Sequence, residues 1–192
     1  MGLKWVKFQK KNNIRRQDIV LTLSTFAPRK GILEFLDVIE KVSKTNKNIR
    51  FLLAGRDEMN GQVRKIVKLR KLEEFVKILG FVEDIKTILK KSKLLVIPSR
   101  LPEGCPTSAL EAMSHGVPVL GYNIFGVNEV IIDRSTGYLI EPFNSKALAN
   151  KIVELIKDKN KLELFDKNGR IFLRENFTID KMLSKHRKVF NT

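Results

Sequence analysis

The sequence predicts an α/β fold in which helices cover both faces of a doubly wound parallel sheet. Short apolar segments typical of buried strands alternate along the chain with segments whose apolar residues recur every three or four positions. The chain has 192 residues, 43% of them hydrophobic, which is enough for one buried core. Because neighbouring parallel strands need a crossover, which a helix supplies, this alternation indicates a Rossmann-like sheet.

The predicted elements follow one another in a regular order. The first strand spans residues 18–24 and ends in a turn that contains Pro28. Residues 31–45 form a helix, since Ile32, Phe35 and Ile39 fall on one face of it. The remaining elements are strands at 50–54, 76–79, 94–98, 118–121 and near 138–140, and helices at 62–70, 84–91, 108–115 and from 145 to the end.

The fold class also predicts where a ligand binds. In doubly wound sheets, ligands lie at the carboxyl ends of the strands, where loops and helix N-termini converge. The loops that follow Leu23, Ala54, Leu79 and Pro98 are therefore the candidate site.

Motifs of several common protein classes are absent from the sequence. No G-x-G-x-x-G follows the first strand, and no P-loop or G-x-S-x-G elbow occurs, which disfavours dehydrogenase, P-loop and serine hydrolase functions. No apolar run approaches the roughly 20 residues of a membrane span. The single cysteine, Cys105, cannot form an internal disulfide, so we expect a reducing, cytoplasmic location.

The formal charge of +16 is concentrated away from the middle of the chain. Residues 1–16, 64–93 and 157–192 carry the basic excess, whereas residues 94–156 hold four basic and six acidic side chains. Two interpretations remain open: a peripheral surface that faces anionic lipid at the inner face of the membrane, or a solvated helical surface. Nucleic-acid binding is disfavoured, because few aromatic residues lie among the basic stretches to stack bases.

The most informative segment is residues 98–120, PSRLPEGCPTSALEAMSHGVPVL, which runs from strand to loop, helix and strand. Its loop places Glu103 at the carboxyl edge of the sheet, and the free backbone N–H groups that open the helix favour an anion. Glu111 lies eight residues later, so the two carboxylates flank a ligand whose charged middle sits at the helix start. Two alternatives stay open: Glu111 closes a capping box with Ser108, and Glu103 is a solvated loop acid.

This segment resembles the C-terminal, donor-binding half of the retaining GT-B glycosyltransferases of group 1, or family four. The E-x₇-E spacing, the Leu-Glu-Ala-Met that follows and the Gly-Val-Pro-Val strand carry the resemblance, which extends from about Asp18 to Ile156. It implies that Glu111 accepts hydrogen bonds from the ribose hydroxyls, and that Glu103 faces the donor sugar as a catalytic residue. The donor-binding loop that it implies, with main-chain contacts to sugar and phosphates, comprises Gly104, Cys105, Pro106, Thr107 and Ser108.

The turn after the first strand, Pro28-Arg-Lys-Gly31, is similar to the family's basic turn. By that resemblance Lys30 is the second catalytic residue and neutralises the departing diphosphate. Thr25, a donor-binding candidate, and Ser24 stand where the family usually has an arginine. Losing a cation there removes stabilisation of developing negative charge unless another group supplies it.

The arginines that are candidates to replace it are Arg29, Arg56 and Arg100. At the end of the third strand, the main chain of Val82 is the implied contact for the nucleotide base.

The resemblance implies transfer of a sugar from a nucleoside diphosphate sugar to a glycan or lipid-linked acceptor, with retention at the anomeric carbon. No cofactor or metal is expected, and no D-x-D motif is present. The implied organisation is a basic interdomain linker at 1–17, the donor-binding domain at 18–175 and a helix at 176–192 that crosses back to a missing or separate N-terminal acceptor domain. A catalytically silent nucleotide-sugar-binding or interaction module is the alternative.

Overall fold

The computed structural model describes residues 16–178 together with Lys181 and Leu183. Within this part of the chain, six parallel strands form one sheet in the order β3-β2-β1-β4-β5-β6. The fold class predicted from the sequence is therefore confirmed. The strands are β1 (Ile19–Leu23), β2 (Arg50–Ala54), β3 (Val76–Gly80), β4 (Leu94–Ile97), β5 (Val119–Tyr122) and β6 (Gly137–Ile140).

Helices connect the strands, and a 3-10 turn at Pro28–Lys30 precedes the first of them. The predicted strands and the predicted helices up to residue 115 are present, with ends that differ by at most one residue. The region from residue 145 forms two successive helices. The helices are α1 (Ile32–Thr45), α2 (Gln62–Leu69), α3 (Ile85–Lys91), α4 (Thr107–Ser114), α5 (Val127–Val130), α6 (Ser145–Lys157) and α7 (Lys159–Asn176).

Two apolar clusters cover the two faces of the sheet. Neighbouring residues of β1 point in opposite directions, so Val20 joins one cluster and Leu21 joins the other. Helices α1, α2 and α6 pack in the first cluster, and α3, α4 and α5 pack in the second. Helix α7 contributes to both, through Phe165 and Leu173.

The strand order creates a switch point between β1 and β4. From β1 the chain builds outward through β2 and β3, and it then returns to the other side of β1 to add β4, β5 and β6. Loops on either side of such a point diverge and leave a crevice at the carboxyl ends of the two central strands. This topology narrows the four candidate loops to the two that follow β1 and β4.

Two glycines allow the loops around this crevice to approach closely. Gly31 has a φ of +67°, and a Cβ there would lie 2.0 Å from the carbonyl oxygen of Pro98. Gly126 has a φ of +81°, and a Cβ there would lie 1.9 Å from the carbonyl oxygen of Glu103. Only glycine fits both the left-handed backbone and the contact. Gly31 thereby holds the turn that carries Lys30 against the end of β4.

The ends of the chain are described only in part. Most of the predicted linker at 1–17 lies outside the described residues, as does most of the predicted helix at 176–192. At the end of α7 the ring of Phe177 lies 5.6 Å from that of Phe172, and Phe177 packs at the margin of the second cluster. The domain boundaries stay a prediction. None of the helices in the described part of the chain is long and apolar enough to cross a membrane.

Candidate functional site

A cavity of about 260 Å³ opens at the switch point, at the carboxyl ends of β1 and β4. The turn after β1, the loop after β4 and the start of α4 form its walls. Most of the residues predicted from the sequence meet in this one space. Those that line it are Thr25, Lys30, Glu103, Cys105, Pro106, Thr107 and Ser108.

The two predicted catalytic residues form an ion pair in the cavity. The ammonium nitrogen of Lys30 lies 2.5 Å from Oε1 and 2.6 Å from Oε2 of Glu103. Their side chains are 15% and 10% exposed, respectively. The hydroxyl of Ser99 also donates to Oε1 of Glu103. Glu103 is therefore a largely buried and fully engaged carboxylate, and the alternative of a solvated loop acid was wrong.

Helix α4 begins at the cavity wall with free hydrogen-bond donors. Its N-cap residue is Pro106, and no side chain caps it. Thr107 and Ser108 are the first two helical residues, whose N–H groups have no acceptor within the helix, and both line the cavity. These donors and the helix dipole make the wall favourable for an anion such as a phosphate.

The capping-box alternative for Glu111 was also wrong. The helix begins one residue earlier than predicted, so Ser108 lies inside it, and the Glu111 carboxylate accepts no hydrogen bond from the described residues. Glu111 lies one turn beyond the cavity wall and does not line the cavity itself. Burial raises the pKa of Glu111. A half-buried carboxylate without a protein partner is typical of a residue that binds a ligand.

One of the three candidate arginines lies at the cavity. Arg29 is exposed and lines it next to Lys30. Arg100 instead pairs with Glu34 at 2.5 Å. The third candidate, Arg56, stacks on a phenylalanine ring 4.9 Å away. Of the three candidates, Arg29 is the one that lines the cavity, and its role as the replacement cation stays a prediction.

Besides Glu111, two further predicted donor-binding residues lie outside the cavity lining. Gly104 is exposed on the loop, and Val82 is half-buried against the second apolar cluster. Their proposed contacts stay predictions. Cys105 lines the cavity, but partial burial and the carboxylate of Glu129 raise the pKa of its thiol, which disfavours a nucleophilic thiolate.

Three hydroxyl groups at the cavity had not been assigned a role from the sequence. Ser99 is almost fully buried at the end of β4 and contacts Glu103. The hydroxyls of Thr22 and Ser24 are buried at the end of β1, and no described residue forms a hydrogen bond with either. The available signal was a small polar residue at the carboxyl end of an otherwise apolar strand, such as Thr22 in the run IVLTL.

The Rossmann-like fold is that of a GT-B glycosyltransferase domain. The sequence pattern of the family described as "Glycosyl transferases group 1" matches residues 4–172. The chain belongs to this family, and the resemblance found in the sequence is confirmed.

Individual relatives agree with this family. The chain is 28% identical over 181 residues to the poly(ribitol-phosphate) alpha-N-acetylglucosaminyltransferase of Staphylococcus aureus, covering 94% of this chain and 36% of the relative. It superposes with a TM-score of 0.90 and 28% identity on Staphylococcus aureus TarM in complex with fondaparinux, alpha-GlcNAc-glycerol and UDP, covering 98% of this chain and 38% of that one.

A structure of similar length shares the fold. The C-terminal domain of the group 1 glycosyl transferase LpcC from Francisella tularensis superposes with a TM-score of 0.74 at 23% identity. The match covers 84% of this chain and 86% of that domain. By contrast, the chain spans about a third to a half of the length of the curated relatives that it matches.

Glu111→Gln is expected to stabilise the unliganded protein at neutral pH. Burial raises the pKa of Glu111 in the folded state, so the folded protein favours the protonated carboxyl. The stability that the protonated Glu111 contributes is fully present below the ordinary glutamate pKa. It is lost as the pH rises through the raised pKa. A glutamine does not ionise and avoids this loss. Urea unfolding should show a gain of up to about 1 kcal/mol at pH 8, limited by solvent screening at a half-buried site, and little difference at pH 4.

The matched control is Glu154→Gln. Hydrogen bonding to Lys151 lowers the pKa of Glu154, so that substitution should act with the opposite sign at pH 8. A Glu111→Gln protein that is less stable than the wild type at pH 8 would show that the carboxylate has a structural partner.

Proposed function

We propose that the cavity binds a nucleoside diphosphate sugar and that the chain is the donor-binding part of a retaining glycosyltransferase. The observation that carries this proposal is the convergence of Lys30, Glu103 and the start of α4 on one cavity at the switch point. The ammonium group and the helix-start amides are donors for a diphosphate, and the carboxylate is an acceptor for sugar hydroxyls. Glu111, one helical turn beyond the cavity wall, accepts hydrogen bonds from the ribose in this proposal, and its half-buried carboxylate supports that role.

In the proposed reaction, the bond between the anomeric carbon and the diphosphate oxygen breaks. A bond from the acceptor oxygen to the same carbon forms with retention, and the acceptor's proton passes to the departing diphosphate. Lys30, Arg29 and the amides of α4 stabilise the negative charge that develops on the leaving group. These groups supply the positive charge that a divalent metal supplies in other enzymes, so we propose that no metal is needed.

The acceptor in this proposal is a glycan or a lipid-linked saccharide, held by an N-terminal acceptor-binding domain. The Staphylococcus aureus relative is named for transfer to poly(ribitol-phosphate), which is a polymeric acceptor. We place the protein in the cytoplasm, peripheral to the inner face of the membrane. In this proposal, the basic stretches of sequence outside residues 94–156 face anionic lipid.

The ribose contact is tested with nucleotides that lack the hydroxyls. Calorimetry compares UDP, GDP and ADP with their 2′,3′-dideoxy analogues on the wild type and on Glu111→Ala. For the nucleotide that binds, loss of the hydroxyls should weaken wild-type binding roughly 10- to 100-fold, the usual range for hydrogen bonds to a charged group. Glu111→Ala should weaken binding of the parent nucleotide by a similar factor and should no longer distinguish the two ligands.

The control for this cycle is Glu154→Ala, on the opposite side of the sheet, which should retain the wild-type preference. If Glu111→Ala still prefers the ribonucleotide by the wild-type factor, Glu111 does not bind the ribose.

The second candidate is a catalytically silent module that binds nucleotide sugars or a partner. Thr25 favours it, because a neutral side chain lines the cavity where the family usually has an arginine. An active enzyme stabilises the departing diphosphate and a silent module does not, whereas both bind the ligand.

Co-expression with an acceptor-binding domain separates the two candidates. The enzyme should then transfer sugar from the nucleotide that the binding experiments identify, in the presence of EDTA and with the anomeric configuration of the donor, which proton NMR of the product reports. Continued absence of transfer with a folded, ligand-bound complex would favour the silent module, and loss of transfer in EDTA would contradict metal independence.

A further inference from the structure

Lys30 and Glu103 both line the cavity, and they form an ion pair with each other. Both carboxylate oxygens of Glu103 contact the one ammonium group, at 2.5 and 2.6 Å. Both side chains are largely buried, at 15% and 10% exposure. The charge of Lys30 is therefore already neutralised, and an incoming anion meets a pair with no net charge.

A diphosphate that draws Lys30 towards its own oxygens competes with both carboxylate oxygens of Glu103 for the ammonium group. Once Lys30 turns to the phosphates, the carboxylate of Glu103, whose side chain is 10% exposed, loses its counter-ion. A buried charge without a partner is strongly unfavourable, and one hydroxyl, that of Ser99, does not satisfy two carboxylate oxygens. A sugar next to the diphosphate brings hydroxyl donors that restore the missing hydrogen bonds.

On the basis of the proposed function, we propose that donor binding exchanges the Lys30–Glu103 ion pair for two ligand contacts, Lys30 to diphosphate and Glu103 to sugar. The site consequently prefers an intact nucleoside diphosphate sugar over the nucleoside diphosphate that remains after transfer. The same exchange favours product release, because the ion pair re-forms when the sugar has left.

Ser99 is the positioning residue of this exchange. It is 2% exposed at the end of β4, and its hydroxyl donates to Oε1 of Glu103. When Lys30 leaves, Ser99 is the remaining described side chain that orients the carboxylate. The backbone assists, since the N–H of Glu103 donates to the carbonyl of Phe125 at 3.0 Å.

Inorganic pyrophosphate is the probe that isolates the first half of the exchange, because it carries neither base nor sugar. Calorimetry on the full chain should show that Glu103→Gln binds pyrophosphate roughly tenfold more tightly than the wild type, since Lys30 no longer has to leave a carboxylate. A residue with a merely structural role would not increase anion affinity when it is removed.

The second half is measured as the ratio of affinities for a sugar nucleotide and its nucleoside diphosphate, using UDP, GDP and ADP with their glucose conjugates. Glu103→Gln should lower this ratio roughly tenfold. Ser99→Ala should also lower the ratio while leaving pyrophosphate affinity within about twofold of the wild type. It supplies an independent test if Glu103→Gln does not fold.

The matched control is Glu34→Gln. It removes the same charge from an ion pair of the same length, 2.5 Å to Arg100, but at a more exposed position. It should change neither quantity by more than about twofold, as expected for a surface pair.

The outcomes separate the inference from the function on which it rests. If the wild type binds a sugar nucleotide but folded Glu103→Gln binds pyrophosphate no more tightly, or if Ser99→Ala leaves the ratio unchanged, the exchange is overturned and the proposed function stands. If none of the proteins binds any of the sugar nucleotides, both are overturned.

Discussion

The ion pair between Lys30 and Glu103 connects the loop after β1 with the loop after β4, at the cavity where a ligand is expected to bind. Lys30 follows β1 and Glu103 follows β4, so 73 residues of chain separate partners whose polar atoms are 2.5 Å apart. Backbone contacts support the approach: the N–H of Arg100 donates to the carbonyl of Arg29 at 2.9 Å, and Gly31 passes against Pro98 at a distance that excludes any side chain. The cavity lies between β1 and β4, where the strand order reverses and the loops on either side diverge.

Helix α4 gives this site a second electrostatic component. At its N-terminus, the amides of Thr107 and Ser108 lie at the cavity and have no acceptor within the helix. At its C-terminus, arginine side chains bind the backbone carbonyls. Arg16 donates to the carbonyls of His115, at 2.6 Å, and Gly116, and Arg170 donates to the carbonyl of Ser114 at 3.1 Å. Positive side chains at the C-terminus complement the helix dipole. The corresponding partner at the N-terminus is an anion, which in the proposed function is the diphosphate.

Local patterns in the sequence predicted the strands and helices closely, because apolar periodicity reports directly which face of an element is buried. The loop from Glu103 to Ser108 and its helix were likewise recognisable from residue types and spacing. Contacts between segments that are distant in the sequence could not be recognised from residue types and spacing. How the loops pack decides that Lys30 and Ser99 engage Glu103, and that no described side chain pairs with the carboxylate of Glu111. A local pattern favoured a capping box instead, and it was wrong because the helix begins at Thr107. Thr22 and Ser24 were inconspicuous for the same reason, since burial decides their significance.

The binding of a diphosphate at the start of α4 is tested most directly by mapping it residue by residue. Two-dimensional ¹H–¹⁵N NMR spectra of the full chain, recorded during titration with UDP, GDP and ADP in turn, report the surroundings of each assigned amide. The expected result, for the nucleotide that binds, is that the largest shift changes fall on the amides of Thr107, Ser108 and Lys30, which line the cavity. Saturable changes confined to the opposite end of the sheet, with these amides unmoved, would contradict a donor site at the switch point.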